Sequence, residues 1–454
     1  MKIPDHLVIS HQAVRKCFFL FRYITTAYCQ KWFTFFDNKG CAVITYTKDD
    51  LTEWAFVFSS QQEYQEQPHI FYQYFLREKV IDRFTADIHA RYDATMKEWK
   101  QLEPVETMTQ EQLLAYYNQA VNYFGHAVRG MMTLRLGDLV NLPMIQKQIP
   151  DSDLLASICA PTKMSYSLEE EIEFLETTDV ERHAQKWQWS SLGYFFEEPL
   201  SLQYYLQRKK DIQDQLARAH ALREELERRE QQQKEQVASL SPDTQWLVYN
   251  IQEAAAAKDF LKRVLIEFRY YAEQVFQEIA RRFEVEIFYY TPEEVELLFK
   301  NGTRVEDAII RQRHELCITY PKKDATEIYY GADVQEIEKK YFAHDADNAS
   351  EWSGRIAQTG VGKGAVRILL PGGDLSSFCD GEVLVTNNTT PSFVPIMRRA
   401  AAIVAEEGGL TSHTAVVSRE LGVPCVVGVA GATQILRNGQ IIEVDANMGI
   451  VRKL

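Results

Sequence analysis

The sequence predicts a multidomain chain: a mostly α-helical N-terminal body with a long helical hairpin, followed by a C-terminal α/β domain. Three observations carry this. Only seven of the 21 glycines fall in residues 1–340, whereas fourteen fall in 341–454. From about residue 76 apolar residues recur at the three-to-four spacing of a helix, while beyond about 345 they gather in short β-branched runs punctuated by Gly or Pro. The 454 residues, at roughly 100–200 per domain, make two to four units. The divisions fall at 1–200, 201–342 and 343–454.

Residues 1–75 carry few local signals. Residues 41–46 are strand-like, and helix is one reading of the remainder. The aromatic-rich stretch 17–36 is interrupted by Arg22, Gln30 and Lys31, so no run reaches the ~18–20 apolar residues of a membrane helix. It reads as core. Asp5, His6 and His11 at the start do not fit a signal peptide. Thr109, followed by Gln110, Glu111 and Gln112, predicts a helix start. Ser167 with Glu170 three residues on is a capping-box candidate. Residues 202–238 are dense in Gln, Glu, Arg and Lys, with a thin stripe of Leu216, Leu222 and Leu226. Ser241-Pro242-Asp243 breaks the chain. A second helix follows to about Phe283, with Leu261, Val264, Leu265, Phe268, Ala272, Val275 and Ile279 along one face. The two arms read as an antiparallel hairpin whose first arm partly projects into solvent. Coiled-coil pairing, and with it a homodimer, is an alternative, although the stripe is not a sustained heptad. Thr291 caps a further helix with Pro292 at its first position. In the tail, strands are expected at 366–370, 382–386, 401–405, 425–428, 441–445 and 450–452, and helices at 392–399 and 412–421.

Composition narrows the function classes. With 46% apolar and 25% charged residues, the chain is an ordinary globular protein able to bury a sizeable core. Its formal charge of −14 opposes a broad basic footprint for nucleic acid or an anionic membrane. Arg208-Lys209-Lys210, the one basic concentration, lies in a charge-mixed helix. The seven cysteines are scattered without a C-x-x-C pair, which argues against a disulfide framework or a thiolate metal site. They read as buried free thiols in a reducing, cytoplasmic setting, and no metal ligands are assigned.

One segment carries chemistry: Glu406-Glu407-Gly408-Gly409-Leu410-Thr411-Ser412-His413-Thr414. It reads as strand, glycine turn, then helix, with Thr411 or Ser412 as cap. Gly408 and Gly409 allow a sharp bend and the close approach of a bulky anion. The helix start offers unpaired N–H groups and partial positive charge. That charge disfavours imidazolium, so His413 keeps a lone pair as a nucleophile. The hydroxyls of Thr411, Ser412 and Thr414 can hydrogen-bond phosphoryl oxygens. A histidine that merely sits at a capped helix start is the plainer alternative.

The context of this histidine is distinctive. Gly408-Gly409-Leu410-Thr411-Ser412-His413 is followed by Ser418-Arg419-Glu420-Leu421-Gly422-Val423-Pro424-Cys425-Val426-Val427-Gly428. Upstream stand Gly381-Glu382-Val383-Leu384-Val385-Thr386 and Thr389-Thr390-Pro391-Ser392-Phe393-Val394-Pro395, and downstream Asn438-Gly439, Val444-Asp445 and Gly449. Residues from about 350 to 454 thereby resemble the swivelling phosphohistidine domain of phosphoenolpyruvate-utilising enzymes, the family of pyruvate phosphate dikinase, phosphoenolpyruvate synthase and rifampicin phosphotransferase. Ser418 replaces the usual Ala, Ala446 the usual Gly, and Gln358-Thr359-Gly360 the usual Ser-Pro-Gly opening. The resemblance implies that His413 is phosphorylated and carried between a donor and an acceptor site, with the glycines of 354–364 as a hinge. Arg419 of the motif is a secondary candidate.

In that family the histidine is charged by an ATP-grasp domain or a phosphoenolpyruvate-binding barrel. Residues 1–340 offer no glycine-rich phosphate loop, and a barrel needs roughly 200 or more further residues. The expectation is therefore that this chain binds no cofactor itself, and that ATP or phosphoenolpyruvate, with magnesium, is held by a separate ATP-grasp or phosphoenolpyruvate-binding partner. A small-molecule acceptor is expected in addition. Residues 254–290 resemble, more loosely, the helical segment preceding the histidine domain. Arg263 and Arg269 there are candidates for a phosphate or carboxylate, or else solvated surface arginines. His183 with Trp187, Trp189 and 194–196 forms an aromatic cluster, either an acceptor-pocket wall or simple core packing. Two functions stay open: a phosphotransfer protein, or a non-catalytic partner-binding or regulatory protein that retains the domain.

Overall fold

The structure, a computed structural model, describes residues 8–16, 42–48, 51–58, 80–149, 152–158, 163–192, 199–211, 215–322, 325–330, 334–335, 350–370, 375–389, 393–406, 412–429 and 431–454. Gly408, Gly409, Thr411, residues 194–196, Cys17, Cys29, Cys41 and Cys159 lie outside these residues.

The body is helical, and its axis is the Pro242–Phe283 helix. Ser241 caps it, its hydroxyl accepting from the Thr244 N–H at 3.3 Å. Pro242 occupies the first position, where a missing N–H costs nothing. The expected stripe is buried: Leu261, Val264, Leu265, Phe268, Ala272, Val275 and Ile279 all join one core. The facing partner is the Gln110–Gln148 helix, which contributes Leu113, Tyr117, Val121, Phe124 and Val128. Its start is the expected one, a reciprocal box in which Thr109 Oγ1 accepts from Gln112 N–H and Gln112 Oε1 accepts from Thr109 N–H. Thr291 forms the same box with Glu294 ahead of the Pro292–Asn301 helix.

Two expectations for the body change. The cap near residue 167 is Ser165, whose hydroxyl accepts from Leu168 N–H at 3.3 Å; Ser167 is the second residue of the Tyr166–Glu176 helix. Glu170 is drawn away by His183 and Arg208, so it cannot reach back to the chain entry. The Gln215–Ala238 arm does lead into Pro242–Phe283 through a short turn. Its side chains, however, engage other helices: Arg223 is bidentate to Glu176, and Gln233 donates to the Ser157 carbonyl. A polar arm has little apolar surface to offer the long helix, which packs on Gln110–Gln148 instead.

The body also contains a sheet. Strands β1 (Val8–Lys16), β2 (Ala42–Lys48), β3 (Leu51–Phe58), β4 (Leu316–Lys322) and β5 (Ala325–Tyr330) pair antiparallel in the order β1-β3-β2-β4-β5. The strand expected at 41–46 is β2. Residues 8–16 and 51–58 are strands rather than helix. Their pairing partners are distant, as where Tyr46 faces Ile318, and local periodicity carries no trace of such a pairing.

The C-terminal unit is an eight-stranded sheet in the order β6-β13-β12-β8-β9-β10-β11-β7, with β6 Glu351–Ser353, β7 Arg355–Gln358, β8 Val361–Ile368, β9 Val383–Thr386, β10 Ala402–Ala405, β11 Cys425–Val427, β12 Ile441–Asp445 and β13 Ile450–Lys453. Strands β8 to β11 are mutually parallel, flanked by antiparallel neighbours. Both faces are covered, which is why β9, β10 and β11 read as unbroken apolar runs. Leu384, Ile403, Ala405, Cys425 and Val427 face the helices with Phe393, Met397, Ala415 and Val417. Val383, Val385, Ala402, Val404 and Val426 face the other way, against Ile442, Val444 and Val451.

Strands β6 and β7 are consecutive in sequence yet stand at opposite ends of the strand order, separated by Gly354 alone. The sheet thus curls until its two ends meet in one extended segment. A Cβ on Gly354 would lie 2.6 Å from Val426 Cγ1 and 2.8 Å from the Val427 carbonyl oxygen, and one on Gly362 would lie 2.2 Å from the Ala401 carbonyl oxygen. These glycines permit close backbone approach inside the sheet. The hinge expected at 354–364 is therefore corrected to packed strands of the sheet, β7 and the start of β8. Among the described cysteines, Cys317 and Cys425 are buried as expected, whereas Cys379 is exposed. Burial pushes the Cys425 thiol up to about 12. No helix among the described residues is long and apolar enough to cross a membrane.

Candidate functional site

The candidate histidine opens the helix that joins β10 to β11, His413–Leu421. A parallel pair needs such a crossover, and in sheets of this kind the open crevice lies outside the carboxyl ends of the strands. His413 is placed at that edge. Ser412 is the cap, with φ −71° and ψ 157°, and its hydroxyl accepts from Ala415 N–H at 3.2 Å. Of the two cap candidates in the sequence, this is the one described; Thr411, Gly408 and Gly409 lie outside the described residues.

Capping satisfies the third N–H of the helix. Those of His413 and Thr414, at its first two positions, have no partner within the helix. A helix start of this kind suits an anion through its N–H donors and partial positive charge. Gly422 ends the helix in the left-handed region at φ 66°, and Val423 N–H returns to the Ser418 carbonyl at 3.0 Å. Ala415, Val417 and Ser418 are buried, so the helix cannot roll without exposing them. Ser418 donates its hydroxyl to the Ala415 carbonyl at 3.1 Å, which satisfies this buried polar group.

Thr414 is buried, and its hydroxyl lies 3.0 Å from that of Thr389. Thr389 belongs to the loop leaving β9, at the same edge. On the other flank, Glu406 at the end of β10 accepts from Thr433 N–H and Thr433 Oγ1 at 2.6 and 2.5 Å. Sequence reading missed both contacts. Thr389 stands in the Thr-Thr-Pro motif and Glu406 directly before the glycines, but neither partnership follows from spacing.

The secondary candidates are placed elsewhere or are otherwise engaged. Arg419 Nε donates to the Ala415 carbonyl at 3.0 Å, and residue 419 is about 9 Å along the helix axis from the start. Arg263 pairs with Glu169 at 3.0 Å and Glu267 at 3.4 Å and stands over the rings of Trp187 and Trp189. Arg269 is buried beside Glu273. Neither is a solvated surface arginine. His183 is 2% exposed, with Nε2 3.0 Å from Glu170 Oε1. Burial pushes the Glu170 carboxyl up, but the bonds from His183 and Arg208 outweigh it and hold the carboxyl below its usual range. Trp187, Trp189, Phe174 and Tyr205 close around this pair as packed core, so the core-packing alternative describes them. Among the described residues no group of His, Cys, Asp and Glu could hold a metal ion.

Residues 378–449 match the family described as PEP-utilising enzyme, mobile domain. Over 167 residues the chain is 38% identical to a probable phosphoenolpyruvate synthase of Archaeoglobus fulgidus, covering 37% of this chain and 20% of that protein. Over 168 residues it is 36% identical to the phosphoenolpyruvate synthase of Pyrococcus furiosus, covering 36% and 20%. Over 174 residues it is 34% identical to the phosphoenolpyruvate synthase of Helicobacter pylori, covering 38% and 20%. The chain thus spans about a fifth of the length of these curated relatives.

Proposed function

We propose that the chain is a phosphotransfer protein in which His413 takes a phosphoryl group from a donor site and passes it to an acceptor. The observation that supports this most is the placement of His413 as the first residue of a capped helix, at the carboxyl edge of parallel strands, within the segment that matches the mobile domain. The imidazole nitrogen attacks phosphorus, an N–P bond forms, and the donor oxygen leaves with the electron pair of the broken P–O bond. The N–H groups of His413 and Thr414, at the helix start, stabilise the phosphoryl oxygens. Transfer onward reverses the step towards an acceptor, a small molecule in our reading.

The donor is ATP or phosphoenolpyruvate, held with magnesium at a site on an ATP-grasp or phosphoenolpyruvate-binding partner. The partial overlap with proteins named phosphoenolpyruvate synthase supports a role alongside such a site. Incubation with phosphoenolpyruvate, with ATP, and with cell extract plus either donor tests this, read as acid-labile phosphate by intact mass. Label on the wild type and none on His413→Ala is expected. No label under any donor, or equal label on His413→Ala, would leave the non-catalytic partner-binding role in its place.

A further inference from the structure

The loop that leaves β9 is closely held for a connection at an open sheet edge. Thr386, Asn387 and Thr389 are 0%, 3% and 2% exposed. Thr386 Oγ1 donates to the Asn388 carbonyl at 2.7 Å, and Asn388 N–H donates to Asn387 Oδ1 at 2.8 Å. From this loop Thr389 reaches across to the next crossover, where its hydroxyl meets that of Thr414, itself 2% exposed. Packing alone would be served as well by two valines, because the methyl and hydroxyl arms of Thr have nearly the same volume. Two buried hydroxyls in contact instead specify a bond with a direction.

The bond has a particular place. Thr414 follows His413 and carries one of the two leading N–H groups of the helix, which have no partner within it. Glu406, through Thr433, fixes the strand end before the glycines, so Thr389 and Glu406 hold the two sides of this edge. Resting on the reading of His413 as phosphoryl acceptor, we propose that Thr389 is a positioning residue: through Thr414 it sets the orientation of the first helical turn, so that the imidazole and the N–H groups of His413 and Thr414 address one phosphoryl group. Misplacement of about 1 Å at such a site costs roughly 100-fold in rate.

The test uses the full chain and four variants: Thr389→Val, Thr389→Ser, Thr414→Val and the double valine. Three quantities are measured on each: the rate of His413 labelling, the pH titration of the His413 imidazole by NMR, and the melting temperature. Thr389→Val is expected to slow labelling about 10- to 100-fold and to shift the imidazole titration while melting near the wild type. Thr389→Ser restores both, and the double valine is no worse than either single variant, because one bond is lost in each. Wild-type labelling and an unchanged titration in Thr389→Val would overturn the proposal. So would a loss that follows melting and is not rescued by Thr389→Ser. Wild type that takes no label from any donor defeats the acceptor reading itself. The titration series still decides whether Thr389 sets the environment of the imidazole.

Discussion

Ser412 and Gly422 bracket nine residues whose identity was readable one by one. A hydroxyl before the histidine and a glycine after Leu421 are the ordinary start and stop signals of a helix, and both serve as such here. Ser412→Ala removes the acceptor for Ala415 N–H and is expected to cost about 1 kcal/mol of stability in chemical unfolding. The partners of Glu170 were not readable, because His183 and Arg208 lie 13 and 38 residues away. A proton-linked effect belongs to Glu278. Hydrogen bonding from Arg281 and Arg282 outweighs desolvation and lowers its carboxyl from 4.5 to about 2. A depressed carboxyl stabilises the fold above its unfolded value, and the contribution disappears as pH falls through the folded one. Glu278→Gln should therefore flatten the loss of stability between about pH 4.5 and pH 2, as read from unfolding midpoints across that window; an unchanged acid limb would contradict this.

Elements divide by how local their causes are. The Pro242–Phe283 helix was legible because cap, proline and apolar stripe all lie within it. The short strands β9 to β13 were legible to within a few residues, since runs of Val, Ile and Ala leave few alternatives, whereas β8 begins at Val361, five residues ahead of the expected start. Strands β6 and β7 were not, because Glu351–Ser353 and Arg355–Gln358 carry mixed polar residues and are strands only through their neighbours. The same applies to the glycines beside them, which looked like a hinge and serve close approach. Gly354→Ala places a methyl 2.6 Å from Val426, and overpacking of this kind costs about 1–3 kcal/mol. A lowered melting temperature is expected; one equal to the wild type would show that the curled edge has room to spare.

At the scale of the molecule, the body is closed by a sheet whose strands come from both ends of its sequence, with β2 paired to β4 across some 270 residues. Removing residues 1–58 should leave β4 and β5 as a two-stranded ribbon with an open edge, which is marginal in water and prone to pairing. Faster proteolysis of 316–330 and self-association on sizing columns would register this; an unchanged profile would show the helices support those strands unaided. The sequence by itself determined the division into a glycine-poor helical body and a glycine-rich α/β unit, and the helix on which His413 stands, because caps, breakers and short apolar runs act over a few residues. Only the tertiary structure decided that Thr389 meets Thr414, that Glu406 holds Thr433, and that the aromatic cluster around His183 is packed core. Those contacts join residues from separate elements, and backbone placement rather than local propensity brings them together.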